Sequence, residues 1–213
     1  MTLWQRRRPR RALEPEKIIR SRTAIFGGTF DPVHEAHLTV AREAVLQYGL
    51  SRVLFIVAAN PPHKLGAKLT SFEHRYQMVE LACQGAPELV PSRLEEDEAI
   101  SYSLQTIERV KAVAGPESLV YFLIGADAFA EIQSWYRWGD VVREVAFIVV
   151  TRPGHIYKTP PGATVNRLNT LAMPVSSSDI RARLAAGEEP PNLSPAVMNY
   201  IRTNGLYGWR PRK

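Results

Sequence analysis

The stretch AIFGGTFDPVHEAHL, residues 24–38, places two glycines, a proline and two histidines directly behind a short apolar run. The apolar run predicts a buried strand, and the residues from His34 onward predict a helix with one apolar face. Glycines at such a strand-to-helix turn let the backbone bend sharply and approach a ligand closely. The spacing matches neither G-x-G-x-x-G nor G-x-x-x-x-G-K-[ST], which excludes both of these phosphate-binding loops from this stretch.

Outward from this stretch, apolar runs alternate with helical patterns. Strands are predicted at 23–28, 52–59, 87–92, 118–127 and 144–154. Helices are predicted at 34–48, 70–83, 101–113, 176–186 and 195–204, with a short one after 128–138. Thr70 and Glu73 have the spacing of a capping box at the start of the second helix. Near-continuous apolar strands separated by helices predict a parallel sheet covered on both faces, hence one doubly wound α/β domain with C-terminal helices.

The formal net charge of +6 is concentrated at the start of the chain. Residues 1–22 contain eight basic and two acidic side chains, whereas residues 23–213 contain nineteen of each. We therefore expect a basic, mostly disordered arm over 1–22, a folded domain over 23–208 and a basic tail over 209–213. Because the folded body is formally neutral, no specific nucleic-acid partner is expected.

Composition excludes several other classes of protein. No segment approaches the roughly 20 apolar residues that a membrane helix needs, so no membrane partner is expected. The arginines near the start are followed by no apolar core, which argues against a secretory signal. Cys83 is the only cysteine, which excludes an internal disulfide and a cysteine-based metal cluster. A reducing cytoplasm is the expected compartment.

Two groups of residues have the chemistry of anion sites. His34 and His37 share one face of the first turn of a predicted helix, where side-chain and backbone donors meet the positive helix end. Ser176, Ser177 and Ser178 begin another predicted helix, and Arg181 follows one turn later as a guanidinium fork. The alternatives are a structural turn with one capping histidine in the first group, and a plain serine N-cap in the second.

Three further groups lie near predicted strand ends or loop mouths. Gly125 permits close approach at a strand end, and Asp127 is either a ribose contact or a helix cap. Trp135, in the sequence SWYRW, stacks either on a ring of a ligand or in the core. Lys64 and Arg75 are either site cations or solvated surface charges. The residues alone leave each of these alternatives open.

A resemblance to a known family favours the functional alternatives. GGTFDPVHEAH closely resembles the signature G-G-[ST]-F-D-P-x-H-x-G-H of the nucleotidyltransferase superfamily, and SSSDIR resembles its later motif S-[ST]-[ST]-x-[IL]-R. Between and after them, PPHK, FEHRYQM, YSLQTI, FLIGADAF, TRPG and YIRTNGLY follow the order found in bacterial nicotinate-mononucleotide adenylyltransferases. The resemblance spans residues 23–208. Ala36 replaces the glycine of H-x-G-H, and Ser103 and Gln105 replace a common threonine and aspartate in the loop that meets the pyridine.

The resemblance implies a Rossmann-like fold and transfer of the adenylyl group of ATP to nicotinate mononucleotide, giving nicotinate adenine dinucleotide and pyrophosphate in NAD biosynthesis. It implies that His37 contacts the α-phosphate, that His34 contacts phosphates on the same side, and that Arg181 holds the β- and γ-phosphates, these three being the catalytic residues. The other residues implied to contact ATP are Gly27, Gly28, Thr29, Phe30, Gly125, Asp127, Ser176, Ser177 and Ser178.

For nicotinate mononucleotide, the implied contacts are Thr29, Lys64, Arg75, Tyr102, Ser103 and Trp135, with the last three around the pyridine ring and its carboxyl group. Mg²⁺ is expected as a cofactor that the ATP phosphates mainly hold, so no protein metal site is expected. The expected partners are ATP and nicotinate mononucleotide, and a homo-oligomer remains open.

Two alternatives to this function have different signatures. A cytidylyl-transferring relative would show R-T-x-G-[IV]-S-T-[ST], which is absent from the sequence, and a pantetheine-phosphate adenylyltransferase is usually shorter. A nucleic-acid-binding protein acting through the basic arm would show a basic and aromatic stripe on a folded element, and the sequence predicts none.

Overall fold

The computed structural model describes residues 21–151, 156–170 and 175–210. Residues 1–20 and 211–213, which belong to the predicted basic arm and basic tail, lie outside the described residues. Both of those predictions therefore stay predictions. Arg22, assigned above to the arm, is the first residue of the first strand.

Six parallel strands form one sheet in the described part of the chain. They are β1 (Arg22–Gly28), β2 (Arg52–Val57), β3 (Leu89–Ser92), β4 (Leu119–Gly125), β5 (Ala146–Thr151) and β6 (Thr164–Asn169). Their order across the sheet is β3-β2-β1-β4-β5-β6, and every neighbouring pair is parallel. The predicted parallel α/β sheet is confirmed.

Helices follow the strands along the chain. They are α1 (Glu35–Tyr48), α2 (Phe72–Cys83), α3 (Ser103–Ala114), α4 (Ala126–Ala130), α5 (Trp138–Glu144), α6 (Ser177–Ala185) and α7 (Pro195–Thr203). Three short 3₁₀ turns lie at Pro62–Lys64, Ile132–Ser134 and Leu206–Gly208.

The sheet has an apolar core on each face. One cluster packs side chains of α1, α2, α6 and α7 against the sheet, and it includes Ala24 of β1. The other packs α3, α4 and α5 against the opposite face, and it includes the next residue, Ile25. Both residues are fully buried, as expected for a strand whose successive side chains point to opposite covered faces. The sheet is therefore doubly wound, as its apolar strands predict.

A crevice opens between β1 and β4 at the carboxyl end of the sheet. The pairing between these strands ends at Ile25 with Phe122, although β1 continues to Gly28 and β4 to Gly125. From β1 the chain winds outward through β2 and β3, and from β4 it winds the other way through β5 and β6. Open parallel sheets bind ligands at such a reversal of winding direction.

Other local features also differ from the sequence-based predictions. β6, at the edge of the sheet, was not predicted, because in TVNRLN only Leu168 is buried and the run lacks a continuous apolar character. The N-cap of α2 is Ser71, whose hydroxyl accepts from the His74 N–H at 3.4 Å, so the prediction of Thr70 as the cap was wrong by one residue.

Candidate functional site

His34 and His37 form a pair at the start of α1, on the edge of the crevice. His34 is the N-cap, its N–H donates to Nδ1 of His37 at 3.2 Å, and the ring centroids are 3.7 Å apart. Because Nδ1 of His37 accepts a backbone N–H, a neutral His37 ring holds its own proton on Nε2. The pair thus presents a neutral N–H donor with a fixed tautomer.

Burial keeps both rings uncharged near neutral pH. It lowers the pKa of His34 from its ordinary 6.5 to about 4. It also lowers the pKa of His37 well below 6.5, and the neighbouring His34 adds to that shift. Nδ1 of His34 is buried without a hydrogen-bond partner among the described residues. Both neutral rings can therefore form a hydrogen bond with a polar or anionic ligand.

Backbone donors at the start of α1 are mostly engaged within the protein. The Glu35 N–H donates to the carbonyl of Asn192 at 2.9 Å, and the His37 N–H donates to the carbonyl of His34 at 2.9 Å. The histidine side chains, more than the helix backbone, therefore supply donors to the crevice.

The phenylalanine of the GGTFDP segment is a core residue. Phe30 is only 2% exposed, and its ring centroid lies 5.7 Å from that of Phe26, 5.4 Å from that of Phe55 and 5.1 Å from that of His37. A side chain added at Gly28 would bring its Cβ to 3.0 Å from the Phe30 ring, so any larger residue would have to displace that ring. The Phe30 side chain supports the His37 ring from the interior, so a contact of Phe30 with ATP would involve its backbone and stays a prediction.

The two anion-site motifs, far apart in sequence, lie side by side. Arg181 donates from one guanidinium nitrogen to the carbonyl of Asp31 at 2.7 Å and from the other to the hydroxyl of Ser178 at 3.2 Å. Ser177 donates its hydroxyl to the carbonyl of Pro32 at 2.9 Å. Ser176 caps α6 by accepting from the Asp179 N–H at 3.1 Å, so the capping interpretation of this serine is confirmed, and its part in an anion site stays a prediction.

Asp31 connects the GGTFDP segment to two other parts of the chain. Its carboxylate is 3% exposed and accepts from the Thr70 N–H at 3.2 Å and from the hydroxyl of Tyr207 at 2.7 Å. Burial and the adjacent Asp31 raise the pKa of Tyr207, which keeps its hydroxyl protonated as a donor. Sequence reasoning missed both partners, because no local pattern links Asp31 with position 207.

Lys64 adds a second cation beside Arg181. Its Nζ donates to the hydroxyl of Thr29 at 3.1 Å. Burial and the neighbouring Arg181 lower the pKa of Lys64, with Asp31 acting in the opposite direction. Two cations that disfavour each other in this way would both be stabilised by a bound anion.

Arg75 does not face the crevice as a free cation. It is 2% exposed, and its guanidinium donates to the carbonyls of Thr70 at 2.8 Å, Thr29 at 2.9 Å, Ala58 at 2.7 Å and Ala59 at 3.4 Å. The expectation that Arg75 contacts the mononucleotide is corrected by this burial. Arg75 instead fixes the backbone that follows β1 and β2.

On the β4 side of the crevice, Gly125 is exposed and is the N-cap of α4, with Asp127 exposed in the first turn. Gly125, and not Asp127, is the N-cap of α4, so Asp127 is not the cap residue; its carboxylate in the first turn interacts favourably with the helix dipole. The structure places both residues at the carboxyl end of β4, and their contacts with a ribose stay a prediction. A Cβ added at Gly125 would meet no atom within 4 Å, so the space above this strand end is open.

Aromatic side chains gather near the start of α3. Trp135 is partly buried with its ring 5.9 Å from that of Phe122, and the ring of Tyr136 lies 4.5 Å from that of Tyr102. Tyr102 is the N-cap of α3, and its N–H donates to the carbonyl of Ile100 at 3.1 Å. The donors left at this helix start therefore begin at Ser103, where the first N–H groups of a helix have no intrahelical partner.

The described residues contain no group of three His, Cys, Asp or Glu side chains that could hold a metal ion. In that same part of the chain, no helix combines the length and apolar character that a membrane span requires.

Lowering the pH from 8 to 5 should destabilise the fold by about 2 kcal/mol through His34 alone. Its pKa is 6.5 when unfolded and about 4 in the fold, so between these values the unfolded state binds more protons. Stability is therefore present above pH 6.5 and falls as the pH drops towards 4. Thermal unfolding at pH 5, 6 and 8 should show a smaller loss for His34→Gln than for the parent; equal losses would contradict the assignment.

Comparisons with known proteins identify the family of the chain and its fold. The family described as cytidylyltransferase-like matches residues 25–183. A probable nicotinate-nucleotide adenylyltransferase of Solibacter usitatus is 55% identical over 184 residues, which cover 86% of this chain and 98% of that relative. A relative with the same name from Moorella thermoacetica is 39% identical over 203 residues, which cover 90% of this chain and 93% of that relative.

A solved structure shares the fold. The nicotinic acid mononucleotide adenylyltransferase of Plasmodium falciparum complexed with NaAD superposes with a TM-score of 0.75, covering 89% of this chain and 98% of that one. The sequences are 22% identical, so this likeness shows the fold alone.

Proposed function

This chain belongs to the cytidylyltransferase-like family and, within it, to the nicotinate-nucleotide adenylyltransferases, and we propose that its two substrates meet in the crevice between β1 and β4. Its reaction is adenylyl transfer from ATP to nicotinate mononucleotide, which gives nicotinate adenine dinucleotide and pyrophosphate in NAD biosynthesis. The cytidylyl- and pantetheine-phosphate-transferring alternatives are not supported by these relatives.

The observation that best supports this site is the contact between the two anion-site motifs. Arg181 and Ser177 bond to the carbonyls of Asp31 and Pro32, which places α6 beside the histidine pair. Together with Lys64, this region offers donors and two cations to a polyanion, and its described residues include no activated serine or cysteine. A phosphate monoester at pH 7 is already an adequate nucleophile, so none is required.

In this proposal, the reaction depends on positioning and on stabilising charge. Holding the two reactants in line can supply on the order of 7–11 kcal/mol of the barrier. His37 donates from Nε2 to the α-phosphate, His34 contacts phosphates on the same side, and Arg181 with Ser176–Ser178 binds the β- and γ-phosphates. Gly27, Gly28 and Thr29 border the nucleotide through the backbone.

For the mononucleotide, we propose that Trp135 stacks on the pyridine and that the N–H groups at the start of α3 receive its carboxylate. Lys64 and Thr29, which already share a hydrogen bond, would contact its phosphate. The Tyr102 N–H is engaged with Ile100, so Ser103 is the first backbone donor in this arrangement.

Mg²⁺ fits this site as an ion held by the phosphates of ATP. The nearest buried carboxylate, Asp31, is occupied by the Thr70 N–H and the Tyr207 hydroxyl, and the described residues offer no cage of ligands. Bound to the phosphates, Mg²⁺ would neutralise charge that develops on them. Chelation with EDTA should stop turnover, and added Mg²⁺ should restore it.

The test of the function is pyrophosphate release from MgATP with a panel of phosphate monoesters. Release with nicotinate mononucleotide supports the assignment. Release with another monoester but with neither pyridine mononucleotide would contradict it.

Arg181→Ala should raise KM for ATP about tenfold or more, because a charge-assisted hydrogen bond to the ground-state phosphates is lost. The matched control is Arg183→Ala, two residues further along α6, whose partner is Glu188 at 3.4 Å. The control should keep the parent KM. An unchanged KM for ATP in folded Arg181→Ala would remove Arg181 from the phosphate site.

We also propose that the enzyme works in the cytoplasm. Cys83 is the only cysteine of the chain, and it is buried with its pKa raised by burial to about 12, so it is a structural thiol that needs no oxidising compartment.

A further inference from the structure

Glu95 is a buried carboxyl group that the proposed reaction does not use. Its side chain is only 6% exposed and lies against the first turns of α3. Oε1 accepts from the hydroxyl of Thr106 at 2.5 Å, and the nearby Ser101 hydroxyl favours the ionised form of the same carboxyl group. Oε2 is buried with no hydrogen-bond partner among the described residues. Burying a carboxyl group with one oxygen unpaired lowers the stability of the fold, which suggests that Glu95 has a functional role.

Ser101 extends this group of contacts to the loop after β2. Its N–H donates to the carbonyl of Asn60 at 3.0 Å, and its hydroxyl accepts from the Asn60 N–H at 3.2 Å. The hydroxyl can then donate its own hydrogen to Glu95. The loop that begins at Asn60 also contains Lys64, so one connected set of hydrogen bonds joins the start of α3 to the loop beside the phosphate site.

The two donors to Glu95 flank the segment that faces the pyridine. Ser101 precedes Tyr102 and Ser103, and Thr106 follows them on the same helix. With Ser101 held by Asn60 and Thr106 held by Glu95, both sides of this segment are fixed. The direction of the first free N–H groups of α3 is therefore set before any ligand arrives.

We propose that Glu95 is a positioning residue for recognition of the mononucleotide's carboxylate: through Ser101 and Thr106 it aims the N–H groups at the start of α3. This inference rests on the proposed function, because it names what sets the selectivity of that same site. Glu95 itself touches no substrate.

The ionisation of the Glu95 carboxyl group is compatible with a substrate carboxylate nearby. Burial raises its pKa, while the hydrogen bonds from Thr106 and Ser101 act in the opposite direction. A larger neutral fraction reduces repulsion of the substrate's carboxylate across the helix start. The acceptor at Oε1 is retained in either state, so the positioning contacts do not depend on ionisation.

The test compares Glu95→Ala with Glu95→Gln in the full chain. Glu95→Ala removes the acceptor and should raise KM for nicotinate mononucleotide about tenfold while KM for ATP changes less than about twofold. The preference for nicotinate over nicotinamide mononucleotide should fall by a similar factor. Glu95→Gln keeps an oxygen acceptor of the same shape and should stay within about threefold of the parent.

The matched control is Glu96→Ala, which removes a carboxylate from the same turn. Glu96 forms its ion pair with Arg93 at 2.8 Å, so the control should keep both KM values and the substrate preference. If Glu95→Ala fails to fold, Thr106→Val removes one donor at constant volume and should raise the mononucleotide KM in the same selective way.

Parent-like mononucleotide KM and preference in folded Glu95→Ala would overturn the inference, and so would an equal rise of both KM values, which indicates general loosening. These outcomes differ from failure of the proposed function. In that case the parent enzyme itself would release no pyrophosphate with nicotinate mononucleotide, and the inference would fall with it.

Discussion

His37→Ala should lower kcat for adenylyl transfer by about 10² or more, with a much smaller change in KM for ATP. The Nε2–H of His37 has a fixed direction because Nδ1 accepts from the His34 N–H at 3.2 Å. A donor of fixed direction gains strength as negative charge grows on the phosphate in the transition state. One such donor is typically worth about 3–4 kcal/mol.

The measurement is steady-state pyrophosphate release at saturating MgATP, with thermal unfolding as a check on the fold. His74→Ala is the matched control, since it removes a histidine that pairs with the Tyr200 hydroxyl at 3.0 Å on α7. His37→Asn retains a side-chain N–H and should recover part of the lost kcat. A folded His37→Ala enzyme with near-parent kcat would return the histidine pair to a purely structural role.

Nicotinate mononucleotide should be preferred over nicotinamide mononucleotide by roughly 10- to 1,000-fold in kcat/KM. A helix start favours an anion by about 0.3–1 kcal/mol when exposed and up to about 2 kcal/mol when partly buried. An amide NH₂ facing the same donors leaves them without an acceptor, which costs about 1–3 kcal/mol more. Both effects act at the start of α3.

This preference is measured by comparing kcat/KM for the two mononucleotides in one enzyme preparation. Gln105, exposed in the first turn of α3, can accept from an amide as readily as it donates to a carboxylate, so Gln105→Ala should widen the preference. Equal kcat/KM for both mononucleotides would contradict the role of the α3 start and would leave the adenylyl transfer reaction in place.

The parallel sheet could be predicted because its inner strands are almost purely apolar. Residues such as Ile25 and Phe147 are fully buried between two helical layers. Because both faces of these strands are covered, successive positions must be apolar, and the sequence shows an unbroken apolar run. β6 pairs with only one neighbour at the edge, and its polar sequence gives no such run. A prediction from the spacing of apolar residues cannot distinguish such an edge strand from a loop.

Sequence alone could predict the candidate site residues that stand in short motifs. It could not predict those whose role depends on contacts between distant parts of the chain. His34, His37 and Arg181 stand in motifs whose spacing already places them at helix starts. Arg75 was expected to face a ligand, because a sequence does not show that four carbonyls enclose its guanidinium. Glu95 was overlooked in an acidic run, because only the fold reveals which carboxyl group of that run is buried.

The hydrogen bond between Tyr207 and Asp31 determines how late in the synthesis of the chain the enzyme can complete its fold. The two residues are 176 positions apart, and Asp31 also positions the carbonyl that Arg181 holds. A ribosome adding about 5–20 residues per second needs roughly 10–35 s to travel that distance. During that interval the nascent chain already contains the histidine pair but lacks the contacts of Asp31 with Arg181 and Tyr207 that would complete the proposed phosphate site. Tyr207 can therefore reach Asp31, and the proposed phosphate site can be completed, only after residue 207 has left the ribosome.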